Sequence, residues 1–246
     1  MAEILKVNNV KNADVNISKG VGSLVFYLTE NLQTLDKELI SLQIERNGQS
    51  NIEITQGYVS LKRLLLCATY GSDAIFSSPE FKTCAVVELA EMGSISLGQN
   101  DKLKISLKEL DPNITYVIDG HEEPANSKEI FLYEEKIIPA DQKNYDVNVA
   151  HYDTLVLDDD SNIQELNFTH DNNVVTKHTL REARAIATDV DPLAYIDQDG
   201  KSYPSIEKFI QLPIKGLISV NVRKEEGTVV HFFMRKDVDL VQLGLI

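Results

Sequence analysis

Tryptophan is absent from the 246 residues, and cysteine occurs only twice, at Cys67 and Cys84. Two thiols in a chain this long do not make a disulfide framework, and both read as small buried hydrophobes. With no tryptophan and 7% aromatic residues, the composition counts against a sugar-stacking platform. Basic residues are also scarce: 24 Lys and Arg against 38 Asp and Glu leave a formal charge of −14, the wrong sign for gripping phosphate. The longest apolar run, Leu64 to Ala68, falls far short of the roughly 20 residues needed to cross a bilayer. Met1 to Asn12 has no signal-peptide core, so the chain is expected to be soluble and made in a cytosol. The Asn-x-Ser/Thr sequons at Asn16, Asn113 and Asn167 need a secretory route and are read as chance.

Signatures of chemistry are missing as well. No Gly-x-Gly-x-x-Gly, Walker loop or nucleophile elbow occurs. His121, His151, His170, His178 and His231 contain no His-x-His pair, which argues against a two-domain cupin-like enzyme. His170 and His178 flank a turn region and read as surface or helix-start residues. Asp158-Asp159-Asp160, Asp189 with Asp191, and Asp197 with Asp199-Gly200 have some of the look of calcium loops. The residue at the twelfth EF-hand place, Ile206, is no ligand, and solvated turns are the plainer reading. Paired carboxylates of the glycosidase kind meet only in the fold. No catalytic, cofactor-binding or metal residue is assigned.

What is present is an ordinary globular balance, 43% hydrophobic and 25% charged, arranged mostly as short strands. Ile40 to Arg46 alternates, with Ile40, Leu42 and Ile44 on one face. It runs into Asn47-Gly48, a strong hairpin signal in which both residues suit a type I′ turn, and Ile52 to Thr55 supplies the return strand. Leu103 to Leu107 and Leu217 to Val222 alternate too, while Thr83 to Leu89 and Val229 to Met234 are more continuously apolar, as strands covered on both faces are. Closely spaced short strands point to a sandwich or barrel. Two segments break the pattern. Leu61, Leu64, Leu65 and Ala68 recur at helical spacing after a candidate N-cap, Ser60, with Gly71 as the stop. Leu180 to Thr188 follows Thr179, which with Glu182 has the spacing of a capping box.

Both helices follow a hairpin, and the two halves repeat. Asp14-Val15-Asn16-Ile17 matches Asp146-Val147-Asn148-Val149, and Leu24-Val25-Phe26 matches Leu155-Val156-Leu157. Leu42, Ile44 and Asn47-Gly48 match Leu166, Phe168 and Asp171-Asn172; Ser60-Leu61 matches Thr179-Leu180; Gly93 to Ser96 matches Gly216 to Ser219. The order is constant and the spacing drifts as loop insertions would make it drift. The boundary is expected between Gly120 and Asn144, a stretch with Pro124, Pro139 and many charges, in which Ile130 to Tyr133 is a strand or an anchored linker. At the N-terminus, Ile4, Leu5, Val7 and Val10 with Lys6 and Lys11 make either an amphipathic arm or a first strand.

Two tandem sandwiches, each with a short helix after a hairpin, resemble the double jelly-roll major capsid proteins of icosahedral viruses with internal membranes, in the lineage of the adenovirus hexon. Ile40 to Gly48 followed by Val59 to Leu66 is similar to the strand, turn and helix of the first jelly roll in the corticovirus type of bacteriophage. The resemblance implies an all-β chain of two tandem eight-stranded jelly rolls, each with a short inserted helix: residues 1–140 form the first, with arm and linker, and 141–246 the second. It implies a homotrimer acting as a pseudo-hexameric capsomer, with neighbouring capsomers, penton and minor capsid proteins as further partners. It places the chain in the virion, assembled in the host cytoplasm, with no enzymatic activity, no cofactor and no direct nucleic-acid contact. The arm is expected to dock under a neighbour or near the internal membrane, so that its deletion would spare the folded trimer. A carbohydrate- or receptor-binding sandwich is the alternative.

Overall fold

In a computed structural model of the chain, residues 2–68, 75–76, 78–158, 161–190, 194–196, 202–204, 209–239 and 241 are described. The first half contains β1 (Ala2–Val7), β2 (Ala13–Ile17), β3 (Ser23–Leu28), β4 (Leu39–Glu45), β5 (Ile52–Glu53), β6 (Val59–Ser60), α1 (Leu61–Ala68), β7 (Ile75–Phe76), β8 (Thr83–Glu88), β9 (Lys102–Lys108) and β10 (Tyr116–His121). The second contains β11 (Glu129–Ile138), β12 (Asn144–Asn148), β13 (Thr154–Asp158), β14 (Ile163–His170), β15 (Val175–His178), α2 (Leu180–Val190), β16 (Ala194–Ile196), β17 (Ser202–Pro204), β18 (Phe209–Pro213), β19 (Leu217–Lys224) and β20 (Val230–Asp239).

The sheets run β1-β10-β3-β8-β7 facing β2-β9-β4-β5, and β11-β20-β13-β18 facing β12-β19-β14-β15. Both halves therefore have the same four-on-four order of eight antiparallel strands, the B-I-D-G and C-H-E-F sheets of a jelly roll, with a helix between the fifth and sixth. The short β6 and β7 in the first roll and the β16–β17 hairpin in the second are additions. Each sandwich closes over its own core because alternate side chains turn inward. Leu24, Phe26, Leu42, Ile44, Ile105 and Ile118 fill the first; Leu155, Leu157, Leu166, Val220, Phe232 and Met234 fill the second.

Local signals in the sequence act largely as expected. Ser60 Oγ accepts the Arg63 N–H at the start of α1. The capping box of α2 is complete: the Glu182 carboxylate accepts the Thr179 N–H at 2.7 Å, and Thr179 Oγ1 accepts the Glu182 N–H at 3.3 Å. Cys67 and Cys84 are buried free thiols. Gly71 lies outside the described residues.

Four expectations need correction. The division at residue 140 falls after β11, whereas Glu129 to Ile138 pairs residue by residue with Asp239 to Val230 of the last strand. Pairing thus assigns 129–138 to the second roll and moves the boundary to the connection at 122–128. The N-terminal residues are the first strand and not a free arm: Ala2 to Val7 pairs with Gly120 to Tyr116, and without it the edge of β10 would be bare. The Asn47-Gly48 turn is not type I′, because Gly48 has φ +73° while Asn47 is not left-handed. The last paired residues, Ile44 and Ile52, leave a longer loop held by Asn51 and Asp101 side chains on the Arg46 and Asn47 N–H groups.

The fourth concerns Gly93. Leu42 pairs with Ile105, and its counterpart Leu166 pairs with Val222, so the strand equivalent to 217–224 is 102–108 and Gly93 to Ser96 is a separate loop. That loop threads between two others: the Ile95 N–H donates to the Val21 carbonyl and the Ser94 N–H to the Ala125 carbonyl. A Cβ on Gly93 would lie 2.3 Å from the Ala125 oxygen, whereas one on Gly216 would meet nothing within 4 Å. Both glycines are left-handed, at φ +81° and +85°. Gly216→Ala is expected to cost about 1 kcal/mol and Gly93→Ala about 2–3 kcal/mol, since only the second adds a backbone clash. Urea titration of the two variants checks the order; equal costs would contradict it.

Candidate functional site

The polar and reactive side chains singled out in the sequence do not gather into a reaction centre. His151 is exposed at φ +73°, His121 is half-buried on β10, and His178 lies against the Phe168 ring at 5.2 Å. His170 Nε2 is 3.1 Å from Thr176 Oγ1. Among the described residues no three His, Cys, Asp or Glu side chains converge as a metal-binding group. Burial pushes the Cys67 thiol far up, away from thiolate chemistry. A shallow cleft of about 180 Å³ is lined by Glu53, Gln56, Leu132, Tyr133, Glu134 and Lys236. That is below the ~300 Å³ at which small-molecule pockets begin.

The conspicuous constellation lies between the two rolls. Strand β13 is buried on both faces: Leu155 and Leu157 enter the second core, and Val156 between them enters the first. Phe233 of β20 does the same between Phe232 and Met234. The outer face of the β11-β20-β13-β18 sheet is thus covered by the first roll. Helix α1 lies in the joint, against β8 of its own roll and against β13 and β20 of the other. This explains why Leu61, Leu64, Leu65, Leu66, Cys67 and Ala68 are all buried, where a helix on an open surface would show one apolar stripe.

Hydrogen bonds stitch the same seam. The Tyr133 N–H donates to the Ile54 carbonyl at 2.7 Å, its hydroxyl to the Glu88 carbonyl at 2.7 Å, and Gln211 Nε2 to the Leu66 carbonyl in the buried last turn of α1. Within the second roll, Arg235 grips Asp153 through two nitrogens, at 3.2 and 3.1 Å, and stacks over Phe131 at 4.7 Å.

A charged knot closes the joint. Arg63 of α1 donates to Asp158 Oδ1 at 2.7 Å and to Glu135 Oε1 at 3.3 Å. Glu135 also faces His231 Nδ1 at 2.9 Å and accepts the Ser60 N–H at 3.1 Å, while Asp158 accepts the His231 N–H at 2.9 Å. Burial alone would raise the Glu135 carboxyl, but the His231 and Ser60 hydrogen bonds and the Arg63 charge outweigh it and hold the group below its ordinary value. Asp158, expected in a solvated acidic turn, is instead a structural anion here. Asp159, Asp160, Asp191, Asp197, Asp199 and the Asp189 side chain lie outside the described residues.

Sequence reasoning did not find this knot. Its members come from four elements, up to 168 positions apart in the chain (Arg63 to His231), and each alone reads as ordinary surface charge. The one available signal was α1 itself, apolar on too many sides for an exposed helix.

No protein-family model matches the sequence, and no curated protein matches it significantly. Solved structures do match. The major capsid protein P2 from bacteriophage PM2 superposes with a TM-score of 0.56 at 7% identity, covering 97% of this chain and 95% of that one. A chain of Sulfolobus Turreted Icosahedral Virus gives 0.59 at 9% identity, covering 100% and 91%. The chain has the double jelly-roll fold. Coverage near completion on both sides means that the double jelly roll is matched as a pair, both sandwiches together, with no large domain left over on either side. At such identities the agreement lies in topology and in the placement of the rolls.

Proposed function

We propose that this double jelly roll is a viral major capsid protein, working by assembly and without catalysis. The observation that carries the proposal is the paired topology: two copies of one sandwich, fused through a buried joint, superposing over 97% of the chain on a protein that builds a bacteriophage shell. In this reading three chains form a six-cornered capsomer, six quasi-equivalent sandwiches from three identical polypeptides. Weaker contacts between capsomers then tile an icosahedral shell. The formal charge of −14 fits a layer that leaves the genome to other components. The resemblance extends the reading to a bacteriophage with an internal membrane, penton and minor proteins completing the virion, and assembly in the host cytoplasm. Strand β1 is committed to its sheet and is not the lipid contact in this scheme.

Light scattering of the purified chain is expected to give the mass of three chains, independent of concentration across the micromolar range. A stable single-chain mass would overturn the proposal.

A further inference from the structure

The joint between the rolls is apolar at its centre and polar at one end. On its second-roll side, Val156 of β13 and Phe233 of β20 point into the first core. Two polar side chains share that face. Thr154 lies two residues before Val156 on β13, and Gln211 of β18 is the residue paired with Val156. Strand alternation sends Thr154 to the same side as Val156, and Gln211 Nε2 reaches the Leu66 carbonyl of α1 across the joint. Both residues are almost fully buried, at 1% and 5% exposure. Yet Thr154 Oγ1 and Gln211 Oε1 make no hydrogen bond within the chain.

A buried oxygen without a partner carries the whole cost of its lost hydration, and native folds seldom leave one so. Asn167 Oδ1 also lacks a partner, but its residue is half-buried on the outward face of β14, between the core residues Leu166 and Phe168, where solvent is at hand. Nor does the sheet itself call for glutamine at 211, since the equivalent place in the first roll, opposite Val25, is taken by Val86.

We infer that Thr154 and Gln211 hold one buried water molecule at the C-terminal end of α1, bridging Thr154 Oγ1 and Gln211 Oε1. Thr154 stands opposite Pro213 and Gln211 opposite Val156, so the two residues are diagonal neighbours on one face, with Cα atoms about 7–8 Å apart. One water spans such a gap between two side-chain oxygens. It accepts the Thr154 hydroxyl proton and donates one of its own to Gln211 Oε1, leaving the other for the last turn of α1, where helix carbonyls lack intrahelical partners. Two to four partners are what a buried water needs. A metal cation does not suit the place, because Arg235 is the residue directly across from Thr154 on β20. The joint is then dry around Val156 and Phe233 and wet at the end of α1, and the rolls meet without a stranded polar group.

Thr154→Val removes the hydroxyl and keeps the shape, so the sign of its effect is the test. With the water in place, urea titration is expected to show a folding equilibrium constant lowered about five- to tenfold, as the loss of one buried hydrogen bond does. In a Gln211→Met background, where the acceptor is already gone, the same change is expected to cost at most about twofold. An unchanged or higher constant for Thr154→Val alone, as when a methyl group replaces an orphaned hydroxyl, would remove the water, and equal losses in both backgrounds would break the bridge. A crystal structure that shows ordered solvent is the direct check. Density within hydrogen-bond distance of both oxygens is expected; both side chains turned onto protein partners, with no density between them, would overturn the site.

Discussion

Phe233→Ala is expected to remove about 3–5 kcal/mol of unfolding free energy and to destabilise both rolls at once. The ring is fully buried, packs 6.3 Å from Tyr133, and enters the first core from a strand whose neighbouring side chains, Phe232 and Met234, fill the second. A cavity there is lined by both halves and can be closed by neither. Since single domains are stable by only about 5–15 kcal/mol, the loss is a large fraction of the total. Denaturant titration followed by far-ultraviolet circular dichroism and by tyrosine fluorescence is the check. The wild type should show one coincident transition, because the shared core couples the rolls, and the variant a transition at markedly lower denaturant. Separate transitions in the wild type, with only one moved by the substitution, would contradict a shared core.

Arg63→Ala is the second large effect, about 2–3 kcal/mol near neutral pH. Removing the guanidinium leaves Glu135 and Asp158, both on the second roll's side of the joint, as poorly hydrated anions without their partner from the first roll, with side chains only 12% and 18% exposed. Stranding the other members of a buried pair is the expensive case, reduced here by their partial contact with water. The sign with pH follows from Glu135. Its carboxyl lies below the ordinary value in the folded chain, so the stability it contributes is present above the unfolded value of about 4.3 and is lost as pH falls through the lower folded value. In the variant one of the groups holding Glu135 down is gone, so acid unfolding should begin at higher pH. Acid titrations of the two proteins by circular dichroism check this; superimposable curves would contradict a role for Arg63 in the joint.

Much of the fold was legible in the sequence because its determinants are local. Alternation in Ile40 to Ile44 is a matter of period two against a buried face, and the Thr179 and Glu182 capping box is three residues wide; both are present as read. Four of the five repeat matches fall on equivalent strands, turns or helix starts. Where the sequence left two readings open, or misled, the outcome is decided by remote partners. Ile130 to Tyr133 sits in a charged, proline-flanked stretch, and only its pairing with residues about a hundred positions later makes it the first strand of the second roll. Ala2 to Val7 has the amphipathic pattern of a surface arm, and β10 makes it a strand. Gly93 and Gly216 carry the same left-handed turn, yet one is wedged against the backbone of Ala125 and Asn126 and the other is open. The joint was invisible for the same reason: Arg63, Glu135, Asp158 and His231 have no sequence proximity, and their meaning exists only once two sandwiches are placed side by side.

That placement is also what the functional reading depends on, so the most direct test is to look at the assembled particle. Electron cryomicroscopy of the purified chain is predicted to give class averages of six-lobed blocks with threefold symmetry, two lobes for each polypeptide. Averages showing isolated two-lobed particles, with no closed ring at any concentration tested, would contradict the account.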